Sequence, residues 1–165
     1  MNYDWEEMKM EFTTDIFSQF DKKWALLTAG NKESFNTMTI SWGGAGTLWG
    51  KPVVTTYVRT SRLTHDFMDR EDYFTISFYP EEYKKTLAVL GSKSGRDMDK
   101  MNASGLTAKE VNNSMTFEEA EVTLVCRKLF KQRLEPANIL DAQARAFYDG
   151  DAEHDMYIGE VVEII

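Results

Sequence analysis

Phe35-Asn36-Thr37-Met38-Thr39-Ile40-Ser41-Trp42 sets Met38, Ile40 and Trp42 in alternation with Thr37, Thr39 and Ser41. Successive side chains leave a strand on opposite sides, so this period of two predicts a strand with one apolar face and one face lined with hydroxyls. Further segments rich in β-branched and aromatic residues lie at 24–29, 52–59, 73–79, 121–130 and 156–165, which makes at least six expected strands. Helical signals are fewer. Residues 64–70 predict one or two turns. Pro80-Glu81-Glu82 opens a second helix, with Tyr83, Leu87 and Leu90 on one face and Gly91 as its stop. Strands on short connections with few small helices predict a mostly β fold, an antiparallel barrel rather than an alternating βαβ sheet. Residues 102–118 are polar and poorly periodic, which predicts an excursion packed on the barrel surface. No repeat or Pro/Gly/Ser linker interrupts the chain, so residues 1–165 are expected to form one domain.

Composition narrows the function classes. With 19 Lys plus Arg against 27 Asp plus Glu, the net charge of −8 repels polyanions, so neither nucleic acid nor an anionic membrane surface is an expected partner. No apolar run approaches the roughly 20 residues of a membrane span. Cys126, the single cysteine, has no intrachain partner, and MNYDWEEMKMEF has neither the basic region nor the apolar stretch of a signal peptide; a cytoplasmic location is expected.

Three clusters carry candidate chemistry. Gly43-Gly44-Ala45-Gly46-Thr47-Leu48-Trp49-Gly50 has neither P-loop nor Rossmann spacing and lies between two strand signals, which predicts a tight hairpin or bulge. Arg59-Thr60-Ser61-Arg62-Leu63-Thr64 follows a strand and leads into a helix. Two guanidiniums, three hydroxyls and first-turn amides suit a phosphate, while the same residues also suit a solvated turn with a Thr cap. Ser92-Lys93-Ser94-Gly95-Arg96-Asp97-Met98-Asp99-Lys100 is either an anion lid or a polar loop that caps the next helix through Asp97. His65 and His154 stand at no metal-ligand spacing from each other or from Cys126, so no metal is expected. His154, among Asp151, Glu153 and Asp155, reads as a surface histidine at a strand entry, and Cys126 as a small core residue between Leu124 and the strand's end.

In order, Ala25-Leu26-Leu27-Thr28-Ala29-Gly30, Asn36 through Gly43, Trp49-Gly50-Lys51-Pro52 and Tyr57 through Thr64 resemble the flavin reductase-like family. Phe74-Thr75-Ile76-Ser77, Gly91, Ser94 through Lys100 and His154-Asp155-Met156-Tyr157-Ile158-Gly159-Glu160 continue the resemblance over nearly the whole chain. It implies an FMN-binding split barrel of Greek-key type, a homodimer with FMN held non-covalently near the subunit interface, and NADH or NADPH as hydride donor. By the same resemblance Asn36, Thr37, Met38, Thr39, Ser41 and Trp42 would flank the flavin ring. Arg59, Thr60, Ser61, Arg62 and Thr64 would hold its phosphate, with Ser94, Gly95, Arg96 and Lys100 nearby. His154 matches a Gly-Asp-His segment on the nicotinamide side, although here Ala152 and Glu153 are inserted after Gly150 and Asp151. The family includes NAD(P)H-dependent flavin reductases and flavoredoxin-type carriers that take electrons from a redox protein partner. A non-catalytic flavin-binding module is the third reading.

Overall fold

The computed structural model describes residues 11–165; all but the last two residues of the N-terminal stretch quoted above lie outside them. A short helix, α1 (Ile16–Ser18), runs through a π turn into β1 (Ala25–Asn31), β2 (Ser34–Ile40), β3 (Gly43–Leu48) and β4 (Lys51–Arg59). Then come α2 (Leu63–Arg70), β5 (Tyr73–Phe78), α3 (Lys84–Ser92), α4 (Lys100–Ser104), the hairpin β6 (Ala108–Val111) and β7 (Ser114–Phe117), β8 (Val122–Arg133), α5 (Ala142–Arg145) and β9 (His154–Ile164). The fold is mostly β with small helices, as expected. No helix among the described residues is long and apolar enough to cross a membrane.

Seven strands form one antiparallel sheet in the order β2-β1-β5-β8-β9-β4-β3. Laid flat, its outer strands would stand about 29 Å apart, six spacings of about 4.8 Å. Yet Ser41 and Trp42 alone join the end of β2 to the start of β3. Three residue steps reach at most about 11 Å, so the sheet must curl until its edges meet there. Leu27, Val54, Val58, Phe74, Ile76 and Tyr157, each 1 % exposed or less, fill the interior of the curl. Cys126, fully buried, is part of that core, as the sequence suggests.

Three strands escape the sequence pattern. The glycine-rich stretch is itself strand β3, and the chain reverses after it at Trp49-Gly50, both at positive φ (52° and 67°). Glycine weakens strand propensity, which hides β3, while the hairpin expectation holds for the β3–β4 pair. Residues 102–118 do pack on the barrel, but as the end of α4 and an ordered hairpin that turns at Asn112-Asn113, with Asn113 at φ 55°. All of Ser114–Phe117 is buried, and Thr75 Oγ1 donates to the Met115 carbonyl at 2.6 Å.

The helix expected to stop at Gly91 continues through Ser92. Leu87 and Leu90, 1 % and 0 % exposed, fasten α3 over β2, each contributing about 1.5–3 kcal/mol by leaving water. Gly91 answers to this packing: a Cβ there would stand 3.1 Å from the Cβ of Thr39. The residue lets the helix lie close to the strand rather than ending it.

Candidate functional site

β2 has a cavity at each end. The first, of about 180 Å³, lies among Asn36, Thr37, Leu63, Gly95 and Lys100. Thr64, read as a helix cap, sits inside α2 at 1 % exposure and accepts a 2.8 Å hydrogen bond from Asn36 Nδ2. The N-cap position belongs to Arg62, whose side chain caps nothing. Instead its Nη1 donates to the Gly91 carbonyl at 3.1 Å, and its Nη2, shut away from solvent, has no hydrogen-bond partner among the described residues. Lys100 is 5 % exposed and donates to the carbonyls of Thr37 (2.8 Å) and Leu90 (3.0 Å). Both cations therefore meet the last carbonyls of α3, the negative end of that helix. Neither has a carboxylate partner among the described residues. Burial, and then the Arg62 charge, push the Lys100 ammonium down to about 8; burial also lowers Arg62.

The loop before α4 is fitted to this end. Asp99, not Asp97, caps α4 by accepting from Met101 N (3.0 Å) and Asn102 N (3.3 Å). Asp97 lies a turn too early, its own amide donating to the Ser94 carbonyl. A Cβ on Gly95 would stand 2.5 Å from Asn36 Oδ1 and 2.9 Å from Leu63 Cδ2, so glycine lets the loop rest on β2. Ser94 Oγ accepts from Arg96 N, and the Arg96 guanidinium pairs with Asp66 at 2.7 Å on the surface. Ser61 is exposed, and Thr60 N donates to the Glu153 carbonyl at 3.0 Å.

The hydroxyl face of β2 exists, but the protein itself occupies it. Thr37 Oγ1 lies 2.9 Å from Thr28 Oγ1, and Thr39 Oγ1 donates to the Leu87 carbonyl.

The second cavity, of about 200 Å³, is bounded by Met38, Thr39, Ser41, Trp42, Tyr57, Arg59 and His154. Trp42 is 43 % exposed, its ring 5.2 Å from both Phe147 and His154. His154, expected at the surface, is 6 % exposed because the 134–153 segment folds over the start of β9. Its Nδ1 lies 2.9 Å from Tyr148 Oη. Burial and the nearby Arg59 charge, against the opposing pull of Asp151, lower its pKa to about 4, so the ring is neutral near pH 7.

Arg59 and Arg62 read as one cluster in the sequence, but the fold parts them. A turn closed by Arg62 N on the Arg59 carbonyl turns Arg62 toward the end of α3 and leaves Arg59 at the second cavity. Arg59 reaches the carbonyls of Ala152 (2.6 Å) and Phe147 (3.3 Å) and the carboxylate of Asp151 (3.3 Å), and lies over the Tyr148 ring. Phe147 and Tyr148 were not legible as site residues; an aromatic pair shortly before the only other histidine was the one signal they gave. Among the described residues no group of three or more His, Cys, Asp or Glu is placed to hold a metal.

The two cavities adjoin along β2: Asn36 and Thr37 line the first, and the lining of the second begins at Met38. Lys100 lines the first, with the Arg62 guanidinium nearby, while Trp42 and His154 line the second beside Arg59, whose charge is paired with Asp151. Such a pair suits an extended ligand with an anionic terminus and a flat ring.

Residues 17–165 match the family model described as flavin reductase like domain. Among solved structures, the chain is similar to an FMN-binding domain of a flavin reductases-like enzyme from Shewanella baltica OS155, at 19 % identity and TM-score 0.66, over 90 % of this chain and 71 % of that one. It is similar to flavoredoxin from Methanosarcina acetivorans, at 18 % and 0.68, over 95 % and 74 %. It is also similar to the styrene monooxygenase flavin reductase from Pseudomonas putida S12, at 17 % and 0.64, over 87 % and 78 %. At these identities the likeness is one of fold. No curated protein sequence matches the chain.

Proposed function

The chain belongs to the flavin reductase-like family, and from that premise we propose that it is a flavoprotein oxidoreductase that holds FMN non-covalently and is reduced by NADH or NADPH. The observation that carries the reading is the Arg62 Nη2 group, buried and unpartnered beside a buried Lys100 in a chain of net charge −8. A buried cation without a counter-charge is costly, and a phosphate supplies both the charge and the missing acceptor. Bound FMN would supply the redox chemistry.

The protein's own part is binding and orientation. Arg62 and Lys100 hold the phosphate, with Ser61, Thr60, Thr64, Ser94 and Gly95 shaping the loops around it. Asn36 and Thr37 border the cavity at Lys100 and Met38, Thr39 and Ser41 the cavity at Trp42, so β2 lines both parts of the flavin site. Trp42 walls the ring end, and His154 faces that cavity as a neutral hydrogen-bonding group suited to an uncharged nicotinamide amide. Arg96 adds positive charge at the rim, and Arg59 fixes the segment that carries Phe147 and Tyr148.

One observation favours a second reading. Phe147 stands edge-on to Trp42, and the ring-side cavity holds only about 200 Å³. That suits a flavoredoxin-like carrier, reduced by a redox protein at the flavin edge rather than by a nicotinamide stacked on its face. We also propose a homodimer in the cytoplasm: Phe17 and Trp49, 84 % and 59 % exposed, are apolar surface suited to a second copy.

Anaerobic titration of the FMN-loaded protein with NADH and then NADPH, following the bound-flavin absorbance, tests the reading. Prompt bleaching supports the nicotinamide-dependent reductase. A flavin that only dithionite bleaches selects the carrier, and a chain that retains no FMN removes the flavoprotein reading itself.

A further inference from the structure

We infer that binding of a phosphate monoester between Arg62 and Lys100 is linked to protonation of Lys100. The inference rests on the phosphate reading of the Arg62 and Lys100 pair.

An ammonium has three donors, and Lys100 uses two of them, on the carbonyls of Thr37 and Leu90. The charge that faces it is the Arg62 guanidinium, which itself keeps Nη2 without an acceptor. Groups on the surrounding elements leave this like-charge pair uncompensated. Asp99, on the same helix, gives its carboxylate to the amides of Met101 and Asn102. Asp66 of α2 is paired with Arg96 of the 93–99 loop. β2 and α3 meet Lys100 through backbone carbonyls, while Lys93 and Asp97 are exposed.

Two cations in one partly closed site disfavour each other, and each loses hydration as well. Burial and the Arg62 charge therefore let Lys100 lose its proton at about 8. A dianion placed between Arg62 and Lys100 reverses both effects and restores the ammonium. Below that pH the residue is already charged, and binding takes up no proton. Above it, each binding event draws one proton from solution, so affinity for the phosphate falls about tenfold per pH unit. A phosphate monoester has its second pKa near 6, so the ligand's own charge is constant over this range.

The test measures FMN and riboflavin affinities side by side by quenching of flavin fluorescence, from about pH 7 to about pH 9.5. Calorimetry at the alkaline end, in buffers of differing ionisation enthalpy, counts protons taken up. The expected result is a preference for FMN over riboflavin that is flat to about pH 8 and then falls about tenfold per unit, with close to one proton bound per FMN. Lys100→Gln is expected to show a weaker and pH-independent preference. A preference for FMN that stays constant to the alkaline end, with no proton uptake by the unmodified protein, overturns the linkage and leaves the phosphate site standing. Equal affinities for FMN and riboflavin at every pH overturn the phosphate site and the linkage together. Because the calorimetric arm uses the unmodified chain, a poorly folded Lys100→Gln does not blunt the test.

Discussion

Arg59 Nη1 donates a 2.6 Å hydrogen bond to the carbonyl of Ala152, joining the end of β4 to the segment that covers β9. With the Phe147 carbonyl and the Asp151 carboxylate on the same guanidinium, Arg59 works as an anchor for 147–152. Arg59→Ala is therefore expected to speed amide hydrogen exchange in that segment by about ten- to a hundredfold, the equivalent of one charge-assisted hydrogen bond. FMN affinity should change little. A large loss of FMN affinity with unaltered exchange would return Arg59 to the phosphate.

Arg62 carries the opposite expectation. Arg62→Ala removes the unpartnered Nη2 and should weaken FMN binding by about 1–3 kcal/mol while leaving riboflavin binding almost unchanged. Because Nη1 also holds the Gly91 carbonyl, a thermal melt of the same variant separates lost binding from lost fold. Equal weakening of FMN and riboflavin would remove Arg62 from the phosphate.

His154 makes the fold sensitive to mild acid. An unfolded histidine titrates near 6.5, whereas burial and Arg59 hold the folded one to about 4, so the unfolded chain binds the proton first. Its contribution is complete above about pH 6.5, declines as the pH falls from there and levels off below about 4. Solvent reaching the cavity reduces the effect to about 1–3 kcal/mol. Urea unfolding of the unmodified chain and of His154→Gln, at neutral pH and near pH 4.5, checks this. The variant should lose less stability between the two conditions, and an identical loss would mean that the ring is protonated in the folded state.

Gly159 tests the core. A Cβ there would stand 2.5 Å and 2.7 Å from two ring atoms of Phe74, itself 1 % exposed, and 3.0 Å from the Cβ of Cys126. Overpacking against a ring with no room to move costs about 1–3 kcal/mol. Gly159→Ala should lower the melting temperature, and pairing it with Phe74→Leu should recover part of the loss. An unshifted melt of the single variant would show that the core yields more readily than its packing implies.

The strands rich in Val, Ile, Thr and aromatic residues were legible because burial and backbone preference agree in them, and Phe74, Val125 and Tyr157 lie in the core that those segments predict. β3 was hidden by its glycines, whose lack of side chains removes the periodic signal, and β6 and β7 by their length of four residues each. Of the candidate site residues the sequence named, the fold bonds Asn36 to Thr64 and sets Lys100 and Arg62 on neighbouring carbonyls of α3. It could not separate Arg59 from Arg62, since the turn between them decides direction and leaves no mark in composition. Nor could it place Tyr148 on His154, because the 134–153 segment is aperiodic and takes its position from a contact with β4 that lies 93 residues away in sequence.

The two free edges of the curled sheet are guarded differently. Along β2, α3 receives the Thr39 hydroxyl and Lys100 occupies the Thr37 carbonyl, so another chain finds little there to pair with. β3 is exposed from Ala45 onward, and its glycines present bare backbone, the usual template for strand addition and aggregation. A Cβ on Gly46 would meet no atom within 4 Å. A lysine at that position can therefore stand guard over the open edge without disturbing any packing within the chain, a gatekeeper available to anyone who needs the protein to stay dispersed at high concentration.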